Sequence, residues 1–488
     1  MQKIIFPFVL LISLLLPSTS GAQNNGFETL KSMELTDQIY EYLEKYYVDD
    51  VNVGSLSKAA IDAMLKELDP YTVYYHESNI EDYKLMTTGQ YGGIGALIRK
   101  VDDYVCISEP YEGKPAYKSG LLAGDKIIEI DGKSMIDKSS TEVSEALKGP
   151  KGTNLALTVL RQGKEKEFSF ERDEIKLLDV PYSGLISEDV GYIKLNSFTR
   201  SASKEVISAF NKLKDEGMKK LVLDLRGNGG GLLIEAVKIV NMFIDKNETV
   251  VTTKGRVEEE NRNYKTMGPA LDLEIPLVVL MNENSASASE IVAGSLQDLD
   301  RAIIIGATSY GKGLVQRTYD LDYGSKMKLT IAKYYTPSGR CVQRLEYYDR
   351  ADGARPKEIA DSLIKIFYTK NGREVIDGRG IEPDIEISPK DLSRLTATLF
   401  RKNIFFNYAT DYYFDKKKIA NASDYSLSAG DYKSFKKYVL DHGISYSTAS
   451  EEMLKKMKTT AEKEGFYADI EEEYEELLKR LSLVQIVT

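Results

Sequence analysis

Between residues 177 and about 390, apolar strand-length runs alternate with helical stretches, and nothing else in the chain restricts the fold as much. "VGYIKLNSF" leads into "SASKEVISAFNKLKDE", "KKLVLDLRGNGGG" into "LLIEAVKIVNMF", and "EIPLVVLMNEN" into "SASASEIVAGSLQDL". "AIIIGATSYGKGLVQ" then opens a fourth strand. Strands apolar on both faces and separated by helices require a largely parallel sheet covered by helices. The fold class expected is α/β, within a multidomain α+β chain. In such sheets chemistry gathers where strands end and helices begin.

The flanks read differently. Residues 23–86 form a helical segment, with Leu35, Ile39, Tyr42, Leu43 and Tyr46 on one helix face. Ala60, Met64 and Leu68 repeat the pattern before Pro70 stops it. Residues 87–175 change to short strands with glycine turns, among them a hairpin in which Leu155, Leu157 and Val159 alternate. The core unit spans 176–400, and 401–488 is a tyrosine-rich, then charged, helical extension. At the start, Lys3, the run "IIFPFVLLISLLLP" and Ser20-Gly21-Ala22 have the layout of a secretory signal cleaved after Ala22. An exported protein of the periplasm or cell envelope is expected.

Composition narrows the chemistry. The net charge of −10 argues against nucleic acid and anionic membrane as main partners. Cys106 and Cys341 are the only cysteines, too few for a disulfide framework or a cysteine metal site, and whether they pair is left open. His76 and His442 are the only histidines, which excludes a histidine-rich zinc site and disfavours a Ser-His-Asp triad. No metal or cofactor is expected, and any hydrolytic base should be something other than imidazole.

Three junction loops carry the candidate residues. "GATSYGKG" matches the phosphate loop G-x-x-x-x-G-K, but Gly313 stands where Ser or Thr should bind magnesium. The residues that follow have strand period, with Met327, Leu329 and Ile331 alternating with Lys328, Thr330 and Ala332, so no helix is there to face a phosphate. Lys312 therefore needs another role. The glycines of "DLRGNGGGLL" let backbone N–H groups converge on an anion, as in an oxyanion hole. In "NENSASASEIVAGSL" any of Ser285, Ser287 and Ser289 can cap the following helix, and a hydroxyl there also gains from the helix N-terminus. A serine needs a base, and a lysine serves when burial lowers its pKa. Lys312, between Gly311 and Gly313 after an apolar strand, fits that need, with Gln316 placed to orient it.

With these motifs in order, the sequence resembles the carboxyl-terminal processing (tail-specific) proteases, Ser-Lys peptidases with an inserted PDZ domain. The resemblance runs from "LDPYT" through "DLRGNGGGLL", "NENSASASEIVAGSLQD" and "GKGLVQ" to "GRGIEPDI". It implies a crotonase-like core with Ser287 as nucleophile, Lys312 as base and Gln316 supporting it. It also implies the backbone N–H groups of Ala288 and Gly230 as oxyanion donors, although Gly229 stands where many members have proline. Residues 91–175 resemble a PDZ domain, which places its carboxylate-binding loop at Tyr91, Gly92, Gly93, Ile94, Gly95 and Ala96. The implied function is an exported serine endopeptidase that recognises polypeptide C-termini and cuts near them. Homo-oligomerisation and a substrate-delivering adaptor are left open. Two other readings are a PDZ peptide-binding scaffold with an inactive protease fold and a crotonase-type acyl-thioester enzyme. Intact Ser287, Lys312 and Gln316 weigh against the first, and the second gives the PDZ module no role.

Overall fold

The computed structural model describes residues 20–77, 80–347, 355–387, 392–416, 419, 424–444 and 449–487. The apolar leader run lies outside them. The core sheet has six strands in the order Tyr182–Leu185, Val190–Lys194, Lys220–Asp224, Leu277–Met281, Ile303–Gly306 and Ile385–Glu386. The first pair is antiparallel and the rest are parallel, as the alternating pattern requires. The central strands are buried because their side chains are apolar on both faces: Leu223, Val279 and Ile304 have no exposed surface.

Consecutive strands are also spatial neighbours, and the three connecting helices pack against one another in chain order. Helix Ala202–Asp215 buries Val206, Ala209, Phe210 and Leu213, one stripe at helical spacing, against helix Leu233–Asn241 and the sheet. Gly217, at φ +97°, ends it. Helix Ala288–Asp298 is buried along its whole length, packed on Leu233–Asn241. Its Gly294 is a close-packing position, because a Cβ there would meet Ile381 Cδ1 at 2.8 Å.

A second sheet is organised by the long strand Lys326–Tyr335, which pairs antiparallel with Leu314–Asp320, Val73–Tyr75 and Thr249–Gly255. Strand Val73–Tyr75 departs from the helical reading of 23–86. The helix Val53–Lys66 stops four residues before Pro70, and the β-branched and aromatic run Thr72–Tyr75 then favours an extended edge. The N-terminal segment is thereby fastened to the core unit.

The inserted module is a separate antiparallel sheet, ordered Ala96–Val101, Tyr104–Pro110, Lys126–Ile130, Asn154–Arg161, Lys164–Glu171. Its core is Ile94, Val105, Ile107, Ile127, Leu155, Leu157 and Val159. Helix Ser140–Leu147 begins at a reciprocal Ser139–Glu142 cap and packs beside Ala96–Val101, whose outer edge is unpaired among the described residues. At the neck, Gln90–Gly93 pairs with Asp173–Lys176. Among its described residues the C-terminal region has five helices, of which Ile404–Lys416 meets the module: Arg99 lies 4.9 Å from the Phe406 ring centroid. Cys106 and Cys341 are both free thiols. Among the described residues no helix is long and apolar enough to cross a membrane.

Candidate active site

The glycine loop follows strand Lys220–Asp224. Asp224 is buried and binds its own loop, accepting the Arg226 N–H at 2.8 Å, the Arg226 guanidinium and the Tyr192 hydroxyl at 2.6 Å. Asn228 has no exposed surface. Its Nδ2 donates to Leu195 O at 2.9 Å, and its own carbonyl accepts from Ala286 N–H at 3.0 Å and Ser289 Oγ at 2.9 Å. The loop is therefore laced to the serine run. Gly230, at φ +101°, shows why glycine is needed: a Cβ would come within 2.7 Å of Ala286 O and 2.8 Å of Ser287 Cβ.

The donor expected at Gly230 needs correction. Its N–H is held by Asn228 Oδ1 at 2.9 Å, inside the loop. Gly229 and Gly231 line the same cleft, and among the described residues nothing accepts their N–H groups. The same is true of the Ala288 N–H, at the first turn of the buried helix.

The three serines separate by environment. Ser285 Oγ donates to Leu225 O at 2.9 Å, Ser289 Oγ is bound to Asn228, and both are fully buried. Of the three, Ser287 lines the cleft. Its backbone is at φ +57°, ψ −112°, a conformation that costs a β-carbon residue about 1–3 kcal/mol. The neighbours that hold it are Glu290, which accepts the Ser287 N–H at 2.7 Å, and the buried Tyr334, whose hydroxyl donates to Ser287 O at 3.2 Å.

Glu290 had no role assigned from sequence, yet it joins the two candidate loops. One oxygen accepts Ser309 Oγ at 2.5 Å and Gly311 N–H at 2.7 Å; the other accepts Ser287 N–H and Lys312 N–H, the latter at 2.9 Å. Complete burial pushes its pKa up and the donors pull it back, burial being the larger. Its position three residues after Ser287 is a capping-box spacing, the one sequence signal that pointed to it.

Lys312 Nζ stands over the Tyr71 ring, 4.1 Å from its centroid. Burial pushes its pKa down to about 8, and Lys328 nearby adds to this; Glu290 and Asp69 oppose. Among the described residues no hydrogen bond joins Nζ to Ser287 or Gln316. Gln316 is instead the cross-strand partner of Thr330, and its Nε2 donates to Thr330 Oγ1 at 3.2 Å. Asp69 folds "LDPYT" into place by accepting the N–H groups of Tyr71 and Thr72 at 2.7 and 2.8 Å.

Gly230, Ser287, Lys312 and Gln316 share one cleft of about 630 Å³, also lined by Leu233, Ile291, Leu314 and Ala332. Neither histidine lines it. The expected peptide loop at 91–96 is shorter than read. Tyr91, Gly92 and Gly93 belong to the neck strand, and the Gly92 N–H is held by Glu81 Oε2 at 2.7 Å. Ile94, Gly95 and Ala96 remain at the entrance to the unpaired edge of Ala96–Val101.

The profile of Peptidase family S41 matches residues 189–347, a PDZ domain matches 106–161, and the Activating protease CtpB N-terminal domain matches 16–79. A C-terminal helical domain described for a "Probable PDZ-protease" matches 395–485, a region in which no motif was recognised from sequence. A "Carboxy-terminal-processing protease" of Bartonella bacilliformis is 37% identical over 352 residues, 70% of this chain and 80% of that protein. A "Probable CtpA-like serine protease" of Staphylococcus aureus is 37% identical over 70% of this chain and 67% of its own length. Among solved structures, the photosystem II D1 C-terminal processing protease is 27% identical, covering 73% of this chain and 88% of its own, with a TM-score of 0.41.

Proposed function

The chain belongs to peptidase family S41, and on that membership we propose that it is an exported endopeptidase that binds polypeptide tails through its PDZ domain and cuts near them by Ser-Lys chemistry. That it is a serine-type endopeptidase of the C-terminal processing kind, with a PDZ domain, follows from its relatives. The assignment of roles is our own reading. One observation carries it: Ser287 and Lys312 open into the same cleft, and a single buried carboxylate, Glu290, fixes the backbone of both.

In the proposed reaction, neutral Lys312 Nζ swings off the Tyr71 ring and takes the Ser287 Oγ proton as Oγ attacks the scissile carbonyl carbon. The resulting oxyanion is met by the Ala288 N–H and an N–H of Gly229 or Gly231. The lysine ammonium gives its proton to the departing amine, leaving an acyl-Ser287 ester. Water then attacks that ester with Lys312 again as base, which releases the shortened chain and restores Ser287. The PDZ edge at Ala96–Val101 takes the tail as an added strand, with its carboxylate at Ile94–Ala96. Export rests on the leader pattern alone.

The test is hydrolysis of tail-bearing polypeptides followed by mass spectrometry. Cleavage close to the C-terminus by the wild type and none by Ser287→Ala is expected. Undiminished cleavage by Ser287→Ala would overturn the assignment.

A further inference from the structure

The cleft has the opposite charge to the chain. The protein carries a net −10, yet the ionisable side chains lining the cleft are Arg200, Lys312, Arg317 and Lys328 against Glu260, with three tyrosines (Tyr83, Tyr264 and Tyr334). Glu260 is engaged by Arg317 at 2.6 Å and Arg262 at 3.7 Å, so it cancels the strand's own arginine. Lys312 is held for the serine. That leaves Arg200 and Lys328, for which no carboxylate lies within ion-pair distance among the described residues.

Lys328 is the more informative of the two. It is half-buried on the long strand Lys326–Tyr335, with Nζ 3.7 Å from Met86 Sδ and 5.8 Å from the Tyr75 ring centroid. A cation withdrawn from water usually has an anion beside it. The nearest influence of that sign is Asp69, but its oxygens already accept from Tyr71 N–H, Thr72 N–H, Thr72 Oγ1 and, at 3.3 Å, Thr330 Oγ1. Arg200 is exposed and is tied to the same stretch, its N–H donating to Thr87 O at 3.1 Å, next to Met86. Both cations line the cleft, so a substrate bound there can meet both.

We propose that Lys328, assisted by Arg200, recognises a carboxylate of the substrate close to the scissile bond, so that the enzyme selects acidic sequences at its cleavage site. This rests on the cleft being the peptidase site, and it adds a specificity that the PDZ domain does not supply. The carboxylate has two sources, an Asp or Glu side chain or the free end of a tail cut within a few residues of its terminus. Either forms a charge-assisted hydrogen bond with a partly desolvated ammonium.

The experiment uses internally quenched peptides of one sequence, carrying Gln or Glu at each of three positions on either side of the cut. Each is made with a free or an amidated C-terminus, and kcat/KM is measured for each. At one position Glu is expected to exceed Gln by about tenfold, the size of one charge-assisted bond. If the free acid exceeds the amide while Glu and Gln are equal, and Lys328→Met removes that difference, the carboxylate recognised is the tail. Lys328→Met should remove the Glu preference, Lys328→Arg should keep it, and Lys328→Glu should reverse it in favour of Gln. The Glu-to-Gln ratio is the readout because any change in Lys312 basicity alters both peptides equally and cancels. A Glu-to-Gln ratio and an acid-to-amide ratio that are both the same in wild type and Lys328→Met would overturn the proposal while leaving the protease intact. If no peptide is cut, the function itself is at fault. The same Glu/Gln and acid/amide pairs are then compared by fluorescence anisotropy on Ser287→Ala and Ser287→Ala/Lys328→Met, where equal discrimination by the two proteins in both pairs sinks the carboxylate site.

Discussion

Lys312 Nζ rests over the face of Tyr71, 4.1 Å from the ring centroid, and not on the serine it is proposed to activate. The ring comes from the N-terminal "LDPYT" turn, and its hydroxyl meets those of Tyr310 at 3.4 Å and Tyr347 at 3.2 Å. Tyr71 therefore shields the lysine from water while offering it a π-face. Because burial is the first cause of the lowered Lys312 pKa, Tyr71→Ala should let water in and move the alkaline rise of activity towards the exposed value of about 10.4. Tyr71→Phe keeps the ring and should leave the profile close to wild type. pH–rate profiles of the two variants decide between shielding and a purely structural ring.

The wild-type profile follows from the same lysine. Activity should rise with pH through about 8, with no contribution near 6.5 from a histidine. His76→Gln and His442→Gln should retain it. A rise centred near 6.5 that either variant abolishes would assign the base to imidazole.

Stability should carry the opposite mark. A lysine whose folded pKa, about 8, lies below its unfolded value binds fewer protons when folded, so it destabilises the fold at low pH. That penalty is complete below about pH 8 and fades as pH climbs to the unfolded value near 10.4. Lys312→Met should be inactive and melt at or above the wild-type temperature at pH 7, with the difference shrinking by pH 10. Thermal melts at the two values test the sign; a large loss at pH 7 would mean the ammonium is a stabilising partner.

Serine identity is separable by substitution. Ser287→Ala should abolish hydrolysis with the fold unchanged. Ser289→Ala removes a buried hydrogen bond to Asn228 O, worth about 1 kcal/mol, and should lower the melting temperature while activity persists. Ser287→Ala and Lys312→Ala combined should be scarcely worse than either alone, because groups acting as a unit do not lose function additively. Single-turnover assays with circular dichroism distinguish the cases.

Glu290→Gln tests the clamp. The amide would point an NH₂ at backbone donors that now meet a carboxylate oxygen, leaving a buried N–H unsatisfied at a cost of about 1–3 kcal/mol. Both the melting temperature and kcat should fall, since Ser287 and Lys312 lose a shared anchor. An unchanged kcat with a lowered melting temperature would make Glu290 a purely structural residue.

Much of the site was legible because small, special residues leave few alternatives. The glycines around Asn228 and Lys312, the serine run at the start of a buried helix, and the scarcity of histidine together pointed to serine-lysine chemistry. The sheet was equally legible, since buried parallel strands must be apolar on both faces, and Leu223, Val279 and Ile304 are. Burial periodicity and local backbone chemistry are properties of neighbouring residues, and sequence records them directly.

Direction of hydrogen bonds across the fold is not recorded that way. The Gly230 N–H was available as a donor on sequence grounds, and only the closed loop turns it to Asn228 Oδ1. Gln316 seemed aimed at Lys312 until cross-strand register set it opposite Thr330. Glu290 had no role from sequence, and Tyr71 read as a residue of the N-terminal segment, until the fold brought each against Lys312. The sequence determined which residue types can do the chemistry; packing of distant segments decided which of their atoms are free to do it, because a donor or a charge is defined by its partner, and here the partners lie far along the chain.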